Sequence, residues 1–192
     1  NWPQQTLSHL YGELVDYSDA APRRWLLDHG LDANASLDGM PLLQHALAQL
    51  PTTLTAASDL VDAGAQVSGG DVVAQICVAA ATSGIPQPDL EAFALRMLES
   101  GAEAFRANDE GRTPLALALS IGWLRLCDAL LARGADVRAR DRHGRTPLFD
   151  ALSAPEPARE DLIKSLLRAG ADPEVRAANN ETPLGLALAR GQ

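Results

Sequence analysis

The densest group of chemically capable side chains lies at residues 138–145, which have the sequence RARDRHGR. The candidate binding positions in this stretch are Arg140, Arg142, His143 and Arg145. A guanidinium pairs with a carboxylate through two parallel hydrogen bonds. The pattern therefore favours a docking site for acidic side chains or for a C-terminal carboxylate. The alternative is a solvated loop whose arginines pair locally with Asp109 and Asp141.

A second charged group precedes the arginines and consists of Asp109, Glu110 and Arg112. The two groups would present acidic and then basic side chains, which suits a specific partner or mutual pairing between the two loops. Trp123 is a further candidate, because tryptophan is enriched at binding hot spots. The alternative for Trp123 is that its ring packs over a helix turn.

No catalytic or metal-binding constellation accompanies these groups. The histidines are scattered along the chain, at His9, His29, His45 and His143. They lack metal-ligand spacing, and no glycine-rich phosphate loop follows a strand pattern. Cys77 and Cys127 fall inside helical patterns, which predicts buried thiols rather than a disulfide or a reactive nucleophile. We expect no enzyme activity, metal or cofactor within these residues.

The charge balance narrows the class of partner. The net charge is −9 and the isoelectric point about 4.8, which argues against binding to nucleic acid or to an anionic membrane surface. Residues 1–100 hold 3 basic and 12 acidic side chains, whereas residues 101–192 hold 13 of each. The acidic half would attract a basic partner, or it only keeps the protein soluble. No apolar run approaches the ~18 residues of a membrane span, so we expect no membrane insertion.

The origin and location of the chain are indicated only by composition. Ala and Arg are abundant and Lys164 is the single lysine, which hints at GC-rich codon usage and a bacterial source. The chain begins at Asn1 rather than Met, so we expect a fragment or a processed form. A cytoplasmic location is favoured, while an upstream targeting segment stays open. We expect a monomer.

The elements that position these side chains follow from an internal repeat. Thr-Pro-Leu occurs at Thr113, Thr146 and Thr182, with periods of 33 and 36 residues. Thr can cap a helix, and Pro suits the first helical position. The glycine that follows each predicted second helix also recurs, from Gly30 to Gly170, and successive copies are 34, 37, 33 and 36 residues apart. Such units cannot bury their apolar faces alone and must stack.

The repeat predicts a series of helix pairs. We expect helices at 5–15 with 20–29, 40–49 with 53–63, 70–82 with 88–100, 113–121 with 123–133, 146–153 with 159–169, and a single helix at 182–190. Gly134 and Gly170 are expected to end second helices in the left-handed conformation. The sequence Asp38-Gly39-Met40-Pro41-Leu42 is interpreted as a degenerate helix start.

The sequences GRTPLALAL and LLARGADV resemble the ankyrin repeat, most strongly at 101–192. The resemblance implies an all-α ankyrin-repeat solenoid of about five helix pairs and a terminal single helix, with β-hairpin fingers mainly in the C-terminal half. It predicts a single domain, 1–192. Its units would be a capping unit at 1–34, degenerate repeats at 35–107, well-formed repeats at 108–140 and 141–176, and a partial repeat at 177–192.

One departure from the family pattern concerns the contacts between units. The histidine that usually follows Thr-Pro-Leu is replaced by Ala116, Phe149 and Gly185. This suggests looser coupling between neighbouring units. Asp150 occupies a position that is usually apolar, and we expect it to accept a hydrogen bond from the neighbouring finger.

The resemblance implies a non-catalytic module that binds another protein. The contacts would come from the finger tips and from the concave face of the first helices. On the family's pattern the arginines and the histidine of 138–145 are tip or inner-face positions. Two alternatives stay open. The chain could be a regulatory or targeting domain fused to an enzyme or membrane protein, or an acidic inhibitor or immunity-type protein that masks a basic partner.

Overall fold

The computed structural model describes residues 2–15, 19–67, 71–83 and 88–191. Within these ranges the chain forms eleven α-helices and two short β-strands. The helices are α1 Gln4–Leu14, α2 Ala21–Asp28, α3 Leu42–Ala48, α4 Leu54–Asp62, α5 Val72–Ser83, α6 Pro88–Glu99, α7 Pro114–Ile121, α8 Leu124–Ala132, α9 Pro147–Ala151, α10 Ala158–Arg168 and α11 Pro183–Arg190. The strands are β1 Ser36–Leu37 and β2 Met40–Pro41.

The starts of the C-terminal first helices follow the predicted capping chemistry at two positions out of three. The Thr113 hydroxyl accepts a hydrogen bond from the Ala116 N–H at 3.3 Å, and Thr182 accepts one from the Gly185 N–H at 3.0 Å. Thr146 differs, because its hydroxyl is buried and makes no hydrogen bond among the described residues. The start of α9 therefore depends on Pro147 and on packing rather than on a side-chain cap.

The helices pack as a two-layered solenoid. The first helices of successive pairs contact one another in the order α1, α3, α5, α7 and α9, and each also packs on its own second helix, from α2 to α10. Leu115, Leu119, Leu126 and Leu130 are fully buried between α7, α8 and their neighbours. Burial of one such leucine stabilises the fold by about 2 kcal/mol, so the apolar stripes hold the stack together.

The N-terminal end contains a buried ion pair. Arg23 on α2 is fully buried, and its Nε lies 3.5 Å from Oδ2 of Asp59 on α4. Arg24 approaches the other carboxylate oxygen at 2.8 Å from the solvent side. The Tyr11 hydroxyl donates to the Ala56 carbonyl at 2.9 Å. These polar contacts join the first two helix pairs.

The connections between units differ in part from the prediction. The strand pair β1–β2 lies in the N-terminal half, where Asp38 and Gly39 form its turn with φ of 50° and 83°. A helix start was predicted there, but α3 begins only at Leu42. The C-terminal connections carry no paired strands among the described residues; each ends in a tight tip instead. Residue 70, the predicted start of the helix 70–82, lies outside the described residues.

Three such tips define the fingers of the C-terminal half. The first finger is 108–112, the second 141–145 and the third 177–181. The first and last residues of each finger are joined by a backbone hydrogen bond, from Asn108 N–H to the Arg112 carbonyl, from Asp141 to Arg145, and from Ala177 to Glu181, at 2.9, 3.0 and 2.9 Å. The division of the chain into units stays a prediction.

Candidate functional site

A concavity of about 530 Å³, here named the finger cleft, opens between the first two fingers and the helices α7 and α9. All of the residues that line it have polar or charged side chains: Glu110, Arg112, Ser120, Asp141, Arg142, His143, Arg145, Asp150 and Ser153. The structure thus brings together five of the residues predicted from sequence. The two predicted charge groups share one site because successive fingers stand side by side.

The finger tips are shaped by two side chains that the sequence analysis did not single out in this role. Asn108 Oδ1 accepts hydrogen bonds from the backbone N–H groups of Glu110 and Arg112, both at 3.0 Å. Asp141 Oδ1 does the same for His143 and Arg145, both at 2.8 Å. Asn and Asp favour such turns because the short side chain reaches the backbone two residues ahead. The same position three residues before Gly in both fingers was the available signal.

Neighbouring tips are joined through their main chains. The Arg142 N–H donates to the Glu110 carbonyl at 3.2 Å, and the Ala178 N–H donates to the His143 carbonyl at 2.9 Å. The approach is close enough that a Cβ on Gly144, which has a φ of 72°, would lie 3.2 Å from the Ala178 nitrogen. Gly is required there both for its left-handed backbone and for the space.

An ion pair fixes the floor of the finger cleft. Arg112 Nη2 donates to Oδ1 of Asp150 on α9 at 2.7 Å, as expected for Asp150. Burial raises the pKa of Asp150 from its ordinary 3.8 to about 6, and the positive charge of Arg112 only partly offsets this. Arg112 is therefore engaged within the protein and is not the first side chain a partner would meet.

The rim of the finger cleft carries the charges that remain accessible. Arg142, His143 and Arg145 are exposed. Arg145 Nε lies 3.4 Å from Oδ2 of Asp141. For Arg145, this is the local pairing with Asp141 that the sequence analysis gave as an alternative. Within the described part of the chain, the Arg142 guanidinium and the His143 ring make no hydrogen bond or ion pair. No ion pair joins Glu110 to Arg142 there either.

Three predicted site residues lie elsewhere. Arg140 Nη1 donates to the carbonyls of Gly144 at 3.0 Å and Arg176 at 2.9 Å, so it ties the second finger to the third. Asp109 is exposed at the first tip but does not line the cleft. Trp123 is only 3 % exposed and belongs to the core. The anchor interpretation of Trp123 is wrong for this structure, because a side chain below the surface cannot meet a partner.

Comparison with known proteins identifies the repeat. A family model described as ankyrin repeats, in three copies, matches residues 78–177, just over half of the 192 residues. The chain belongs to the ankyrin-repeat family. Ankyrin repeats generally mediate protein–protein interactions, and an ankyrin-repeat domain is itself non-catalytic.

Relatives of this ankyrin-repeat chain are found in plants and mammals. It is 42% identical over 71 residues to the serine/threonine-protein kinase VIK of Arabidopsis thaliana. It is 34% identical over 110 residues to ankyrin repeat domain-containing protein 63 of Homo sapiens, and 34% over 97 residues to B-cell lymphoma 3 protein homolog of Mus musculus. The matches cover 36%, 56% and 50% of this chain but only 16%, 29% and 21% of the relatives.

Thiols and metal-binding side chains are the other groups in these ankyrin repeats that could support chemistry. Burial raises the pKa of the thiols of Cys77 and Cys127, both of which are free and buried, so neither is a ready nucleophile. Among the described residues, no group of three or more His, Cys, Asp or Glu side chains is arranged to hold a metal ion. None of the helices there combines the length and apolar character needed to cross a bilayer.

Proposed function

We propose that this ankyrin-repeat chain binds another protein through the finger cleft, with Arg142 and His143 as the main contacts and Glu110 and Arg145 beside them. The observation that carries this proposal is the exposed Arg142 guanidinium, which stands at the cleft rim without a partner among the described residues. The backbone of Arg142 is already fixed by its hydrogen bond to Glu110. Binding therefore orders less of the chain than it would at a mobile loop.

The charges of the cleft favour a carboxylate as the group that Arg142 receives. Arg112 is paired with Asp150, and Arg145 shares its charge with Asp141. Arg142 is the guanidinium left to form a bidentate pair, and a carboxylate matches its geometry. Glu110 on the adjacent tip would repel an acidic side chain placed in the wrong register and would accept a hydrogen bond from the partner. Both effects add specificity.

The test compares three baits in affinity capture from a lysate of the organism that encodes the chain. The baits are the native protein, the double variant Arg142→Glu/Arg145→Glu, and the control Arg125→Glu/Arg168→Glu, which makes the same charge change on exposed positions of α8 and α10. We expect a partner that the native and control baits retain and the finger variant loses. A partner retained equally by all three baits would refute the assignment to the finger cleft.

A second candidate function is a regulatory or targeting domain within a longer protein. It is favoured by the relatives, since one is a kinase by name and each extends well beyond the matched region. In that case the partner of the cleft would be a catalytic domain of the same protein. Reading the full gene tests this idea, and a gene encoding little beyond these residues would rule it out.

The acidic-inhibitor alternative has weaker support. Asp59 is buried against Arg23, and Asp62 Oδ1 accepts a hydrogen bond from Arg96 Nη2 at 2.7 Å, so these two carboxylates are neutralised internally. We propose a monomer that binds a protein, without nucleic acid or membrane as partner. Equilibrium sedimentation would show a dimer if the monomer assignment were incorrect.

A further inference from the structure

The concave face carries a second depression, here named the apolar groove, between the first helices α3 and α5. It encloses about 640 Å³ and is lined mainly by apolar side chains, including Met40, Leu47, Val78 and Ala79. Met40 is 46 % exposed and Val78 39 % exposed, which is unusual for side chains of this size. The groove therefore offers apolar surface that a ligand could remove from water.

Two polar side chains at the edge of the groove are hydrogen-bonded to each other. Gln75 Nε2 donates to Asp71 Oδ1 at 2.9 Å, both on the border of the apolar floor. An apolar side chain that enters the groove would leave this hydrogen bond in place. Burial of a polar group without a partner destabilises a complex, and this arrangement avoids that loss.

The apolar groove and the finger cleft both border the first finger. Asn108 lines the groove and also holds the tip of the first finger through its hydrogen bonds to Glu110 and Arg112. Glu110 and Arg112 in turn line the finger cleft. A ligand that leaves the groove past the first finger enters the cleft directly.

We propose that the partner presents an extended segment that places a large aliphatic side chain in the apolar groove and a carboxylate on Arg142. This inference rests on the proposed function, and it adds the chemistry and spacing of the bound segment. The two ends of the surface differ in character, so the segment has a fixed direction from its aliphatic residue to its acid.

The spacing follows from the solenoid geometry. Packed helices lie about 8–10 Å apart, and two such steps separate the groove at α3–α5 from the cleft at α7–α9. An extended chain advances about 3.3 Å per residue. About six residues therefore separate the aliphatic side chain from the carboxylate in the bound segment.

The test is a selection of random linear peptides of about 16 residues, displayed on phage, against the immobilised chain. Selected peptides are then synthesised and titrated against three single variants. Val78→Glu alters the groove, Arg142→Glu alters the cleft, and Leu167→Glu adds a charge at an exposed apolar position on α10 as the control. Circular dichroism spectra of all variants verify that each remains folded.

We expect selected peptides to share an aliphatic residue and an acidic residue about six positions apart. Each of Val78→Glu and Arg142→Glu should weaken their binding about tenfold or more, the effect of losing one buried contact or one ion pair. Leu167→Glu should leave binding unchanged. In a peptide whose aliphatic and acidic residues are only two positions apart, binding should weaken as much as it does when one of the two contacts is lost.

The remaining outcomes separate this inference from the function on which it rests. Peptides weakened by Arg142→Glu but not by Val78→Glu would overturn the two-part segment and keep the finger cleft as the binding site. Peptides insensitive to both variants, or no selected peptides, would overturn both. A dimer abolished by Val78→Glu would also overturn the inference, because a second copy of the chain would then occupy the groove.

Discussion

Arg112 and Asp150 belong to neighbouring units and meet at 2.7 Å beneath the finger cleft. The guanidinium comes from the base of the first finger and the carboxylate from α9, so the pair holds a finger to the helix of the next unit. It occupies a place where the absence of the usual histidine had suggested looser coupling between units. Stacked fingers and this ion pair supply contacts between units without an imidazole.

The contribution of Asp150 to the stability of the fold should depend on pH. The folded-state pKa of Asp150, about 6, lies above its ordinary 3.8, so the folded chain binds this proton more tightly than the unfolded chain. The contribution of Asp150 to the free energy of unfolding is therefore greatest below about pH 4 and declines as pH rises through about 6. In urea denaturation across this range, the free energy of unfolding of the native chain should decline relative to that of Asp150→Asn as pH rises.

Replacement of Arg112 provides the complementary measurement. Arg112→Gln leaves the Asp150 carboxylate without its cation, so we expect a loss of about 2 kcal/mol near pH 8 and a smaller loss near pH 5, where the carboxyl is largely protonated. Equal losses at both pH values would mean that packing, rather than charge, accounts for the role of Arg112. The exposed pair Lys164–Glu160 is a control whose removal should not change stability measurably.

Gly144→Ala should separate the cost of backbone strain from the cost of crowding between fingers. Gly134 has a φ of 87° and open space around it, so Gly134→Ala should cost about 1 kcal/mol from strain alone. In Gly144→Ala the new Cβ also crowds the Ala178 nitrogen, and the loss should be larger by about 1 kcal/mol. Thermal denaturation of both variants measures the two losses of stability. Equal losses would show that the fingers can shift apart without a cost in stability.

Arg23→Ala should destabilise the N-terminal end strongly. Arg23 is fully buried with Asp59, and removal of one member of a buried pair costs about 3–5 kcal/mol; here the buried carboxylate would keep only the exposed Arg24 as a partner. Arg24 binds the same carboxylate but is exposed, so Arg24→Ala is the matched control and should have little effect. Similar urea midpoints for the two variants would contradict the structural role of Arg23.

Trp123→Ala should act through stability rather than through recognition. The ring is buried in the core, and its removal should cost about 3–5 kcal/mol. Trp25 is 53 % exposed, so Trp25→Ala should cost far less. Binding of a selected peptide to folded Trp123→Ala at low temperature should match that of the native chain. A specific loss of binding with unchanged stability would restore Trp123 as an anchor.

The helices were predictable because their signals are local. Thr-Pro at 113–114 and at 182–183 marks helix starts that the structure contains. Gly134 and Gly170 end second helices with φ of 87° and 89°, as predicted. The turn at Asp38 and Gly39 could also have been predicted, because Asp-Gly favours two-residue hairpin turns. The Pro-Leu that follows favoured a helix start instead.

The site residues were harder to predict, because their roles depend on neighbours distant in sequence. The repeat brought five of the predicted site residues into one cleft, and their positions in successive fingers were visible in the sequence. Arg140 looks equivalent to Arg142 in the sequence, yet it contacts the carbonyl of Arg176, which lies 36 residues away. The inward orientation of Trp123 likewise depends on tertiary packing that no local pattern encodes.

The hydrogen bonds that the Arg142 and Ala178 N–H groups donate to the neighbouring finger tips involve only main-chain atoms. Such a bond does not depend on the identity of the residue that supplies it, provided that the residue is not proline. Positions 109, 110, 142 and 143 can therefore exchange their side chains while the scaffold beneath them stays the same. At these positions main-chain atoms hold the fold together and side-chain atoms are left to contact a partner. New specificity can therefore be introduced, by mutation or by engineering, without rebuilding the fold.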